Sequence, residues 1–132
     1  MTKAILLSIH PKWTKLIYEG KKTIEWRKNL TKNDSSVVFI YETSPVKKVT
    51  GAFSINGAIE VDFNDSDFDL FKWQDGCVPL DELKKYQGKS KRLYGWLISV
   101  PKRFKTPKTL DDFGLKRAPQ SWQYVEVNNG RL

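Results

Sequence analysis

The chain has 132 residues, 39% of them hydrophobic and 13% aromatic, which is enough to fill one core and too little for two, so a single domain spanning 1–132 is expected. One cysteine, Cys77, and one histidine, His10, exclude an internal disulfide and a zinc site built on soft ligands, and no apolar run approaches membrane-spanning length. The formal charge of +8 points to polyanionic partners.

A lone thiol suits a reducing, cytoplasmic setting, and "MTKAILLSIHPKW" lacks both the long apolar stretch and the small-residue cleavage site of a secretory signal. Charge is unevenly spread. Glu60, Asp62, Asp65, Asp67, Asp69 and Asp75 crowd an acidic insert over 60–75, whereas lysine and arginine dominate from Lys84 to Lys108. One surface is expected to be basic and another acidic.

In chain order, "KAILLSI" reads as a buried strand over 3–9, and "PKWTKLIYEG" as a short helix with Pro11 in its first turn and Gly20 as its stop. "TIEWRK" alternates: Ile24 and Trp26 point one way, Thr23, Glu25 and Arg27 the other. The apolar run over 35–44 reads as a central strand covered on both faces. "VTGAFSINGAIEV" reads as a strand in which Gly51 and Gly57 permit bulges of the kind that curl a sheet. A short irregular helix is expected over 64–76, carrying Phe68, Leu70, Phe71 and Trp73. "PLDELKKYQG" reads as a helix between Pro79 and Gly88. "KRLYGWLISVPKRF" and "SWQYVEV" close the pattern as strands, with "TLDDFGL" a turn or short helical piece between them. The whole is α+β: a small mixed β-barrel of five or six strands with two or three short helices at its openings.

Within this pattern "GKKTIEWR" fills a glycine, lysine, glutamate, arginine signature with Gly20, Lys22, Glu25 and Arg27. In this the chain resembles the ASCH domains, a branch of the PUA-like barrels. "VFIYETSPVKKVTGAF" and "RAPQSWQYV" resemble two further elements of a subgroup, with Ala118 departing from a second proline. The resemblance spans positions 3 to 125. It implies a PUA-like barrel with a cleft suited to single-stranded RNA or a modified nucleotide, with no cofactor.

Lys22, Glu25 and Arg27 are then expected at the floor of that cleft, the two cations holding a phosphate or base edge while Glu25 orients them. The alternative from the residues alone is a salt-bridged solvent face. The resemblance also implies a set for metal-independent RNA cleavage, formed by Tyr41, Lys47 and Ser121 with Ser44 beside them. Such cleavage needs a base for the ribose 2′-hydroxyl, a cation for the phosphorane and an acid for the leaving oxygen. Trp122 and Tyr124 are candidate stacking platforms for bases. His10, at a strand-to-helix corner, reads as structural. Two other functions fit parts of the chain. One is a non-enzymatic factor that binds a host protein through the acidic insert. The other is an amidohydrolase of acylated cytidine, which resembles family members carrying threonine where this chain has Glu25. The spaced acids Asp65, Asp67 and Asp69 lack the glycine and closing glutamate of a calcium loop.

Overall fold

The structure, a computed structural model, describes residues 2–31, 37–65 and 74–127. Strand β1 (Thr2–Ile9) leads into helix α1 (Pro11–Tyr18), and strands β2 (Ile24–Arg27), β3 (Val37–Glu42) and β4 (Lys48–Val61) follow. Helix α2 (Leu80–Gln87), strand β5 (Leu93–Lys108), a 3-10 turn (Asp111–Phe113) and strand β6 (Trp122–Val127) complete the described elements. Most of the helix expected over 64–76 lies outside the described residues.

Local chemistry explains the boundaries. His10 caps α1, its Nδ1 accepting from the Lys12 backbone N–H at 3.0 Å, Pro11 fills the first turn, and Gly20 turns the chain away at φ 78°. The middles of β1 (Ala4–Leu7) and β3 (Val37–Tyr41) are apolar because both of their faces are covered. Ile5, Leu7, Ile9, Val38 and Ile40 face inward with Phe53, Trp96 and Ile17 of α1. Ala4, Leu6, Phe39 and Tyr41 face outward beneath Leu110, Phe113 and Leu115. Each such side chain contributes about 1.5–3 kcal/mol when fully buried. A third cluster joins Ile24 and Trp26 of β2 to Phe63, Leu93 and Leu83 of α2, and so seats that helix against the sheet.

Among the described residues the strands form one mixed sheet in the order β2-β5-β4-β3-β1-β6, with β1 and β3 parallel. β2 and β6 are its edges, so the backbone ladder does not close. Four strand spacings separate β2 from β1, roughly 19 Å in a flat sheet, yet Arg27 Nη2 of β2 donates to the Ser8 carbonyl of β1 at 2.9 Å. The sheet is therefore curled almost into a barrel, and a side chain spans its gap. Register shifts in the β3–β4 and β4–β5 ladders supply the curl, including one between Val49 and Gly51 and one between Ile55 and Ala58. Glycine is required at Gly51, where a Cβ would collide with the Tyr18 hydroxyl and the Lys102 carbonyl.

Candidate functional site

At the gap between the sheet's edges lies a cleft of about 320 Å³. Its walls come from the end of β1 and start of α1 (Ser8, Ile9, His10, Trp13), from β2 (Glu25, Trp26, Arg27) and from α2 with its lead-in (Val78, Glu82, Leu83, Tyr86); Lys22 lies beneath. Along β2, Glu25 and Arg27 turn to the cleft and Ile24 to the third core cluster, while Trp26 belongs to that cluster and also borders the cleft.

The three signature ions form one buried network. Lys22, only 1% exposed, donates from Nζ to the Ile24 carbonyl at 2.7 Å and the Gly76 carbonyl at 2.5 Å, and lies 3.4 Å from Glu25 Oε1. Glu25, 6% exposed, accepts at Oε2 from Arg27 Nε at 2.9 Å and Nη2 at 2.6 Å. Burial alone would raise the Glu25 carboxyl, but the charges of Arg27 and Lys22 and the hydrogen bonds from both outweigh it and hold the group below the ordinary carboxylate range. Arg27 donates further, to Ser8 and through Nη1 to Ser121 Oγ at 3.0 Å. The network is thus no solvated face. Three oxygens surround the Lys22 ammonium, and Arg27 keeps one Nη1 hydrogen uncommitted among the described residues.

Above this floor the cleft is aromatic. Trp13 lies beneath the Lys12 ammonium, 4.6 Å from its ring centroid, and Tyr86 beneath that of Lys28, at 5.1 Å. Burial pushes the Tyr86 hydroxyl up, against the lowering influence of Arg27. His10 joins this wall as well as capping α1; with Nδ1 accepting from Lys12, its Nε2 carries the hydrogen of the neutral ring.

The remaining expected residues fall elsewhere. Ser8 pairs with Tyr41 on one side, and its amide bonds the Ser121 carbonyl at 2.9 Å on the other, so all three sit at one end of the sheet. Tyr41 is 7% exposed within the outward apolar cluster, while Ser44 and Lys47 are exposed in the following turn, Lys47 at φ 54°. Among the described residues no hydrogen bond or ion pair joins Tyr41, Ser44, Lys47 and Ser121 to one another. Trp122 and Tyr124 leave the cleft altogether and line a second groove with Lys28, Asn29, Leu30, Thr31 and Tyr94.

Within the acidic insert, Asp67 and Asp69 lie outside the described residues, as do Phe68, Leu70, Phe71 and Trp73. The others are partly structural. Asp62 Oδ1 accepts from Gln87 Nε2 at 2.7 Å and from the Asn64 amide at 2.9 Å, which lowers its carboxyl pKa and ties β4 to α2. The Asp75 carbonyl accepts from the Thr23 and Ile24 amides, and the Gly76 carbonyl holds Lys22, so the end of the insert builds the cleft floor.

A family model described as ASCH domain matches residues 7–108, most of the chain. The chain belongs to the ASCH domain family. Among curated proteins it is 35% identical over 63 residues to an ASCH domain-containing ribonuclease of Zymomonas mobilis, covering 47% of this chain and 43% of that protein. It is also 25% identical over 126 residues to ATP synthase subunit alpha of Ureaplasma parvum, covering 94% of this chain and 15% of that protein. The chain thus spans less than half the length of these relatives. Among solved structures, ZmASCH of Zymomonas mobilis superposes as a serine-to-alanine variant with TM-score 0.78 at 22% identity, covering 93% of this chain and 88% of that one. A tyrosine-to-phenylalanine variant gives TM-score 0.78 at 23% identity, covering 95% and 91%. The curled sheet with two described helices is the α+β fold of these proteins.

Proposed function

We propose that this chain binds single-stranded RNA, taking one base into the cleft over the Lys22–Glu25–Arg27 floor. The observation that carries the reading is the cleft's composition: aromatic walls from Trp13, Trp26 and Tyr86, polar edges from Ser8, His10 and Glu82, and lysines Lys12 and Lys28 at the rim. A nucleobase is flat and apolar on its faces and polar along its edge, and it brings a phosphate that rim cations can meet. The floor network shapes the cleft more than it grips phosphate, because its donors are already engaged. Binding should weaken steeply between 50 and 200 mM salt, since contacts to phosphate release counterions. Affinity unchanged across that range, or no affinity for RNA, contradicts the reading.

The reading extends to metal-independent cleavage at the end of the sheet that holds Tyr41 and Ser121, outside the cleft lining. Its support is the relative named a ribonuclease, together with the position of Tyr41 and Ser121 on either side of Ser8. In this scheme the ribose 2′-oxygen bonds to phosphorus as the bond to the 5′-oxygen breaks. The 2′-hydroxyl gives up its proton and the departing 5′-oxygen gains one, Tyr41 serving as the base or the acid, while Lys47 neutralises the phosphorane and Ser121 holds a phosphate oxygen. Lys47→Ala should then leave RNA affinity within about threefold and lower cleavage by on the order of a hundredfold. EDTA should have no effect. Cleavage untouched by Lys47→Ala, or absent from nuclease-free protein, removes the enzymatic part and leaves the binding module.

A further inference from the structure

The second groove, of about 720 Å³, is unused by a single base in the cleft, and its chemistry matches that of its neighbour. Tyr94 and Trp122 give it aromatic walls, Leu30 an apolar lip that is 39% exposed, and Asn29 and Thr31 polar edges. Neighbours in sequence line the two cavities and define a seam between them. Arg27 lines the cleft and Lys28, the next residue, lines the groove; Ser121 bonds Arg27, and the next residue, Trp122, lines the groove. At that seam the Lys28 ammonium lies over Tyr86 of the cleft, 5.1 Å from its centroid, while Lys28 also belongs to the groove wall.

We propose that the groove is a second base subsite, so that the ligand is a strand of at least two nucleotides and not a free nucleoside. This rests on the reading of the cleft as an RNA site. One base occupies the cleft, the linking phosphodiester crosses the seam at Lys28 and the uncommitted Arg27 Nη1 hydrogen, and the adjoining base lies against Tyr94 and Trp122. Cations at the crossing point and aromatic walls on both sides make a nucleic-acid strand a better match than an apolar peptide, which would leave the seam charges unpaired.

The test is calorimetric titration of mixed-sequence RNA of one, two and four nucleotides into the wild-type chain and into Tyr94→Leu and Leu30→Glu. Leu30→Glu alters an exposed position, so it folds even if Tyr94→Leu does not. For the wild type, affinity should rise by about tenfold or more from one to two nucleotides. Both variants should lose most of that increment while binding the mononucleotide within about threefold of wild type. If the second nucleotide adds nothing, or its increment survives in both variants, the groove assignment falls and the cleft reading stands. If RNA of no length binds, both fall, and the groove is left to a protein partner.

Discussion

Arg27 and Ser121 sit at the two open edges of one sheet, the first on β2 and the second immediately before β6, and the hydrogen bond from Arg27 Nη1 to Ser121 Oγ joins them. With the bond from Nη2 to the Ser8 carbonyl, one guanidinium bridges a gap the backbone ladder leaves open. Arg27→Ala should therefore act on the fold before it acts on any ligand. Removing one member of a buried ion network costs about 3–5 kcal/mol, partly because Glu25 keeps its burial and loses its fork. Arg27→Lys should recover less than half, since a point charge cannot reach Glu25, Ser8 and Ser121 together. Urea unfolding measures both; a midpoint unchanged in Arg27→Ala would show that the bridge contributes nothing.

The acid limb of stability should belong largely to Glu25. Its folded-state pKa lies below the unfolded value near 4.5, so its contribution is complete above that value and is lost as pH falls through the lower folded one. Glu25→Gln should be less stable than wild type at pH 7, and the difference should shrink as pH drops below about 4. Parallel stability curves for the two proteins from pH 7 to pH 2 would refute this.

What could be read in the sequence was local. Lys22, Glu25 and Arg27 fall within six positions: strand alternation puts Glu25 and Arg27 on one face, and Lys22, just before β2, is three residues from Glu25. Their partners Ser8, Gly76 and Ser121 are distant in sequence, and only the curl of the sheet makes them neighbours. The lining from Glu82, Leu83 and Tyr86 depends on how α2 docks on Trp26, which no periodicity in "LDELKKYQ" specifies. Trp122 was legible as a candidate stacking platform. Its assignment to a separate groove depends on the β2–β6 gap, a tertiary feature.

Tyr18 acts on the alkaline limb of stability. Its hydroxyl meets Thr50 Oγ1 at 2.8 Å, and its pKa is raised to about 12, chiefly by burial. A raised folded-state value means its contribution is complete below pH 10 and is lost as pH climbs toward 12. Tyr18→Phe should be slightly less stable at neutral pH, and the gap should narrow between pH 10 and 12. A constant gap across that range would contradict the assignment.

Thr14, buried on α1, donates to Glu42 Oε1, while Arg103 approaches the same oxygen at 3.8 Å. Thr14→Val keeps the shape and removes the donor from a carboxylate only 4% exposed. A loss of about 1–3 kcal/mol is expected in urea unfolding, with Glu42→Gln in the same background restoring part of it. A neutral Thr14→Val would show that Arg103 alone satisfies Glu42.

The most direct test of the cleft as the RNA site is photocrosslinking of a short single-stranded RNA carrying 4-thiouridine, with the attached residues mapped by mass spectrometry. Attachment is expected at Trp13, Trp26 or Tyr86, suppressed by unlabelled RNA in excess. Attachment confined to the exposed cationic stretch Lys102 to Lys108 on β5, with none in the cleft, would contradict it.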